Sequence, residues 1–374
     1  MAEANSSLFT IHSSLPTWIW YPGDFEIWLG NIFNNRRTER GAMFPPFWKQ
    51  DSHYVTVEFS KAFSLQKAET ITIACEGQFN LALDGKLQFG QPKTFEVPAG
   101  EHKLNLKVWN QATPPALFID GETIKTDSTW LATYEDKLWI DENGVAHGSG
   151  IYVPAAHWNF DSIDTPPSTY QLERKELRPV SCDNIAANGT LYDFGRETFG
   201  YLIIKGLQDS VRIYYGESRE EALDKAHCET LDVVSSNPLP LTSNLSSKAF
   251  RYVYIEKEEG ANYDEVMMDY EFAPHDINHS GSFRCSDEEI NRIWEVSAYT
   301  MDLTTREFFM DGIKRDRWTW SGDAIQSYLM NYYLRFDTEC VKRTIRQLRG
   351  KDPGTAHVNT FMDYTFYWFK SVLD

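Results

Sequence analysis

Between about residues 54 and 109, hydrophobic side chains recur at every second position. Tyr54-Val-Thr-Val-Glu-Phe59, Thr70-Ile-Thr-Ile-Ala74 and Lys103-Leu-Asn-Leu-Lys-Val-Trp109 alternate cleanly, the period of a strand with one buried face. Phe79-Asn-Leu-Ala-Leu83 runs into Asp84-Gly85, a pair that accepts the positive φ angles of a tight hairpin turn. Trp18-Ile-Trp-Tyr21 and, after the Pro22-Gly23-Asp24 turn, Phe25-Glu-Ile-Trp28 read as part of the same β-region. Many short strands separated by turn residues predict an N-terminal β-sandwich over residues 1–155. Trp18, Trp20 and Trp28 could form a sugar platform on it. Core packing is the preferred reading, because alternate residues on a strand share one face.

A Pro-, Ser- and Asp-rich passage over 154–179, including Thr165-Pro-Pro-Ser168, predicts the connection to a second β-region. There Tyr201-Leu-Ile-Ile204, Val211-Arg-Ile-Tyr-Tyr215, Phe250-Arg-Tyr-Val-Tyr-Ile255 and the stretch from Glu265 to Phe272 predict strands. With its linker this second sandwich occupies 156–275. From 276 to 374 the period becomes helical. Ser286-Asp-Glu-Glu289 reads as a capping box with Ser286 as N-cap, followed by Ile290, Ile293, Trp294, Ser297 and Met301 on one face. Ser321 is the expected N-cap of the next helix, with Ile325, Leu329, Tyr332 and Phe336 facing inward. Val341, Ile345 and Leu348 mark a third helix stopped by Gly350. The last stretch, 361–374, is apolar nearly all round, and such a helix needs cover on every side. The expectation is a truncated portion of a longer protein, or burial against another copy in a homo-oligomer.

Composition narrows the partners. The 374 residues are 42% hydrophobic and 24% charged, as in ordinary globular proteins. A net charge of −18 repels nucleic-acid backbones and anionic membranes, which sets both aside, while a neutral sugar is indifferent to it. No apolar run approaches a membrane span. The N-terminus lacks the regions of a signal peptide, so the expected compartment is the cytoplasm, or the periplasm or exterior if a leader has been removed. The five cysteines are widely spaced without a C-x-x-C pair, so buried reduced thiols are expected. His275 and His279 stand four apart, but in a connecting segment between Pro274 and Gly281. No metal and no cofactor is expected.

Candidate chemistry concentrates in 311–323, Asp-Gly-Ile-Lys-Arg-Asp-Arg-Trp-Thr-Trp-Ser-Gly-Asp. Carboxylates interleaved with indole rings suit sugar chemistry: carboxyls move protons at glycosidic oxygens, and Trp faces stack on a pyranose. An ion-pair cluster capping the next helix has the same residue types. Gly312 and Gly322 suggest a backbone requirement. The indoles and neighbouring carboxylates push carboxyl pKa values upward, whereas Arg315 and Arg317 push them down. Asp323, at a helix N-terminus, is expected to favour its ionised form. Asp363, Tyr364 and Trp368 stand on a later predicted helix that could reach the same cleft, although aromatic residues at helical spacing usually pack.

Segment 311–323 resembles the signature of the bacterial α-L-rhamnosidases. In that family an Asp, usually followed by Cys-Pro, leads to Arg-Glu-Arg, a Trp, and Gly-Asp at the start of a helix. The frame here is Asp311, Arg315, Asp316, Arg317, Trp320, Gly322 and Asp323, with Gly312-Ile313 in place of Cys-Pro and Asp316 in place of Glu. Asp193-Phe-Gly-Arg-Glu-Thr-Phe-Gly200, Tyr214-Tyr-Gly-Glu-Ser-Arg-Glu-Glu-Ala222 and Gly281-Ser-Phe-Arg-Cys-Ser-Asp287 resemble the family as well, so the likeness covers the chain from roughly residue 180. The resemblance implies β-sandwich domains ahead of an (α/α)6 barrel. It implies an inverting hydrolase that releases terminal L-rhamnose from a rhamnose-containing glycan or glycoside, with two carboxyl groups about 6.5–9.5 Å apart. By position, Asp316 matches the general acid; Asp311, Arg315, Trp320 and Asp323 match substrate-binding residues, and Asp363 and Trp368 are further candidates. The family's general base is a Glu from later in the barrel, so this chain alone is expected to be inactive or nearly so. The alternative is a non-catalytic carbohydrate-binding or structural β-sandwich fragment.

Overall fold

The structure, a computed structural model, describes residues 15–34, 52–140, 146–148, 150–235, 245–275, 280–314, 316–350 and 357–374. Its contacts divide the chain into two compact units, one of Met1–Trp28 with Asp51–Tyr170 and one of Leu29–Gln50 with Gln171–Asp374. The architecture is mostly β, with helices gathered towards the C-terminus.

In the first unit two antiparallel sheets share one core. The smaller runs in the order Ile19–Trp20, Ala116–Asp120, Glu69–Glu76, Thr94–Val97, and the larger is built around Thr56–Leu65 and Gly100–Trp109. Alternation decides which side chains face inward: Phe59 pairs with Leu106, and Leu106 with Leu81 on the next strand, all three buried. Ile71, Ile73, Leu117 and Ile119 of the smaller sheet meet them in the same cluster, so the predicted sandwich is present here. Asp84 and Gly85 take φ of 50° and 76°, as the hairpin between Gln78–Leu83 and Lys86–Gln88 requires.

Trp18 and Trp20 are buried, which favours their core reading over a sugar platform. Phe25-Glu-Ile-Trp28 is helical, contrary to its reading as β. It lies within helix α1, Asp24–Asn34, in which Phe25, Leu29 and Phe33 are buried at a spacing of four. The Pro-rich passage packs onto the first unit as far as Tyr170. Trp18 donates its backbone N–H to Phe160 O, and Ser168 hydrogen-bonds Glu76.

The β-region of the second unit is one continuous seven-stranded sheet rather than two facing sheets. The long strand Gly189–Lys205 pairs with Lys248–Lys257, breaks register between Asp193 and Thr198, and pairs with Glu265–Phe272 in its second half. A bulge of this kind bends a strand and raises its twist, which curves the sheet around its own core. Val211, Ile213, Val253, Ile255 and Met268 fill that core. The opposite face carries Leu191, Tyr214 and Tyr254 beneath helix α2, Arg219–Leu223.

Five helices of eleven residues or more are described, of which α3 (Glu288–Thr304), α4 (Ser321–Leu334), α5 (Thr338–Arg349) and α6 (Met362–Leu373) follow the sheet. The N-cap of α3 is Asp287 rather than Ser286: its carboxylate accepts from Glu289 N and Ile290 N. Ser321 is the first residue inside α4 rather than its cap. The buried stripe of α4 is Ala324, Ile325, Tyr328, Asn331 and Leu334, so the predicted Leu329, Tyr332 and Phe336 are exposed instead. Asn331 can be buried because its amide bonds Asp337 O and Asp337 N. Gly350 ends α5 with φ 66°, as read from the sequence. Gly281 donates its backbone N–H to Leu334 O, and a Cβ there would lie 1.7 Å from Tyr333 O, so only glycine fits. All five cysteines are thiols outside any disulfide; Cys228 and Cys340 are buried, but Cys182 is exposed.

Candidate active site

After α3 the chain makes an isolated bridge between Thr305 and Phe309, then enters an irregular loop closed at its base. Asp311 N donates to Trp318 O at 2.9 Å, and Trp318 N donates back to Asp311 Oδ1 at 2.8 Å. Residues 312–314 and 316–317 are therefore held as a tip, and Asp316 stands on it, half-buried. Arg306, just upstream, is buried and paired with the buried Glu271 of the sheet, its guanidinium 4.5 Å over the Phe199 ring. An ion pair this dry requires both partners, since either alone would be a buried charge.

The carboxylates at the two ends of the segment both respond to Asp316, and Asp311 responds to Asp323 as well. Burial, more than anything else, pushes Asp311 up to about 6; the Trp318 N–H opposes this, and the charges of Asp316 and Asp323 add to it. Asp323 is also raised, first by burial and then by Asp316, against the pull of its own backbone N–H. The expectation that a helix N-terminus would favour its ionised form is therefore reversed: desolvation outweighs the amides. Among the described residues, three carboxyl groups from one signature thus share an electrostatic neighbourhood.

Aromatic rings flank this cluster. Trp318 is buried in the helical core and offers no stacking face, whereas Trp320 is only half-buried, 6.4 Å from Trp318 and 5.7 Å from Tyr364 between ring centroids. Tyr364 belongs to the site: the charges of Asp323 and Asp311 raise its hydroxyl pKa, after burial. A Cβ on Gly322 would stand 3.0 Å from the Tyr364 ring, which is the close approach this glycine serves; Gly312 meets nothing and has no such reason. Asp363 lies on the exposed side of α6, one residue out of phase with Tyr364. Trp368 donates its indole N–H to Ile345 O at 2.8 Å and packs with the helical core. Arg315, like His279, lies outside the described residues.

Three contributors were not anticipated. Asn359, buried with φ 51°, accepts from Ser321 N at 3.0 Å and donates to Thr319 O at 3.0 Å, fixing the entry to α4. Asparagine tolerates the left-handed region and binds backbone groups, so its type was a signal, but its partner is 38 residues away. Lys314 meets Glu221 from 93 residues away, and the enclosed carboxyl of Glu197 feels the charge of Lys314.

Carboxyls grouped beside partly exposed aromatic rings are the residue types that glycosidic-bond chemistry uses. Two family models agree. The model described as alpha-rhamnosidase-like, bacteroidetes, N-terminal matches residues 57–255, and that of the bacterial alpha-L-rhamnosidase 6 hairpin glycosidase domain matches residues 278–363. The chain belongs to the bacterial α-L-rhamnosidase family. Among solved structures, it is similar to the α-L-rhamnosidase of Dictyoglumus thermophilum (16% identity, 92% of this chain and 45% of that one, TM-score 0.38). It is similar also to the GH78 rhamnosidase of Bacillus sp. GL1 (15% identity, 96% and 45%, TM-score 0.38). The Streptomyces avermitilis α-L-rhamnosidase, complexed with L-rhamnose, is 13% identical over 81% of this chain and 37% of that one, with a TM-score of 0.38. The chain thus spans less than half the length of these structures. No curated protein matches it.

Proposed function

We propose that the protein is an inverting glycoside hydrolase that releases terminal α-L-rhamnose from a glycan or glycoside, with Asp316 as the general acid. The observation that carries this reading is the grouping of Asp311, Asp316 and Asp323 on and beside one closed loop. In this reading Asp316 protonates the departing glycosidic oxygen, while Asp311, Asp323, Arg315 and Trp320 hold the sugar. The base that activates water on the opposite face comes, by the family resemblance, from a later part of an (α/α)6 barrel that α3 to α6 begin. A second reading exchanges two roles: Asp311, raised by burial to about 6, donates the proton, since a carboxyl in that range keeps it in a larger share of molecules towards neutral pH than an ordinary aspartate does.

The test is a panel of aryl glycosides offered to the full-length protein, with the first-formed anomer followed by proton NMR. Turnover of the α-L-rhamnoside to β-L-rhamnose is the expected result. Preference for another sugar would overturn the substrate, and initial release of α-L-rhamnose would overturn inversion.

A further inference from the structure

Two side chains flank Asp316 on the loop tip, and both reach back to segments bordering the sheet of the same unit. Lys314 Nζ lies 2.5 Å from Glu221 Oε1 on α2 and 4.0 Å from Glu217 Oε1. Glu221 is itself fixed, because its other oxygen accepts from Glu217 N at 3.0 Å and its N–H binds the Ser218 cap. Burial works against the charge on Lys314, but the Glu221 hydrogen bond and the charges of Glu217, Glu221 and Glu229 outweigh it and keep its pKa above the ordinary lysine value. On the other flank Arg317 is buried, donates from Nη1 to Ser247 O at 2.6 Å, and sits 5.7 Å over the Phe199 ring. Its backbone is held at φ 50°, a conformation that costs a branched or long side chain energy unless its surroundings enforce it.

A misplacement of about an ångström is enough to spoil proton transfer, so what holds the flanks of the loop carrying Asp316 matters. We propose that Lys314 and Arg317 are positioning residues of the reaction: they pin the loop that carries Asp316 to Glu221 and Ser247, so that the β-sheet aims the acid at the glycosidic oxygen. This rests on the rhamnosidase reading of Asp316 given above. The sheet is then part of the working machinery and not an accessory ahead of it.

Leaving groups separate this role from ordinary stabilisation. Dinitrophenolate departs without a proton, whereas phenol needs one, so only the phenyl glycoside reports how well the acid is aimed. In the full-length protein, Arg317→Met is expected to lower kcat on phenyl α-L-rhamnoside by ~10- to 100-fold with KM changed by less than about threefold. The dinitrophenyl substrate should change by less than about threefold, and Arg317→Lys should recover part of the loss. Lys314→Met should show the same split to a smaller extent. Equal losses on both substrates, or none on either, would overturn the proposal. Should Arg317→Met fail to fold, Lys314→Met and Glu221→Gln give the same comparison from the other pin. A wild-type protein that cleaves neither rhamnoside overturns the rhamnosidase reading and this proposal with it, whereas cleavage without the split overturns the proposal alone.

Discussion

Glu197 stands on the strand Gly189–Lys205 inside the register break, and both of its carboxyl oxygens are enclosed without a hydrogen-bond partner. Burial, joined by the charge of Glu217 and resisted by Lys314, pushes its pKa up to about 8 from the usual 4.5. The consequence for stability has a definite sign. Below pH 4.5 folded and unfolded chains both hold the proton; between 4.5 and about 8 only the folded chain does. Stability therefore falls as pH rises through that window, by an amount on the order of a few kcal/mol, and levels off above it. Glu197→Gln cannot ionise, so it should match the wild type near pH 4 and be the more stable of the two at pH 9. Denaturant midpoints across that range measure the difference, and a gap that does not widen with pH would contradict the ionisation account.

At the scale of elements, alternation made most strands legible, because one buried face imposes its period directly on the sequence. Helix α1 was not legible from Phe25 to Trp28 alone, since Phe25 and Ile27 also alternate; only Leu29 and Phe33 disclose the spacing of four. In α4 the inward face was misread because polar Ser327 and Asn331 are buried while Leu329 and Tyr332 are exposed. The segment 311–323 announced its chemistry through residue type. What holds it did not show: Lys314 meets Glu221 from 93 residues away, and Arg317 meets Ser247 from 70. The cap of α3 offers a direct check of local reading. Asp287→Ala should cost about 1 kcal/mol, while Ser286→Ala should be nearly silent. The reverse order in a denaturation series would restore Ser286 as the cap.

At the scale of the whole chain, the two units have their own cores, and the helices keep a large apolar surface open to solvent. Ile293 and Val296 on α3, Tyr333 on α4, and Phe366, Phe369 and Leu373 on α6 are each more than half exposed. Surface of this kind associates with whatever apolar partner it meets. These 374 residues expressed alone are therefore expected to bind a hydrophobic dye in native buffer and to associate as concentration rises. Sedimentation as a monomer at high concentration, without dye binding, would contradict that. The family match runs through both the β-region and the helical region, and the loop that carries Asp316 is pinned within the second unit. The account turns on Asp316 delivering the proton, and the most direct test is Asp316→Asn in the full-length protein with a phenyl α-L-rhamnoside. The expected result is a fall in kcat of about 10²- to 10⁴-fold with L-rhamnose binding retained. Near-normal turnover by that variant would contradict it.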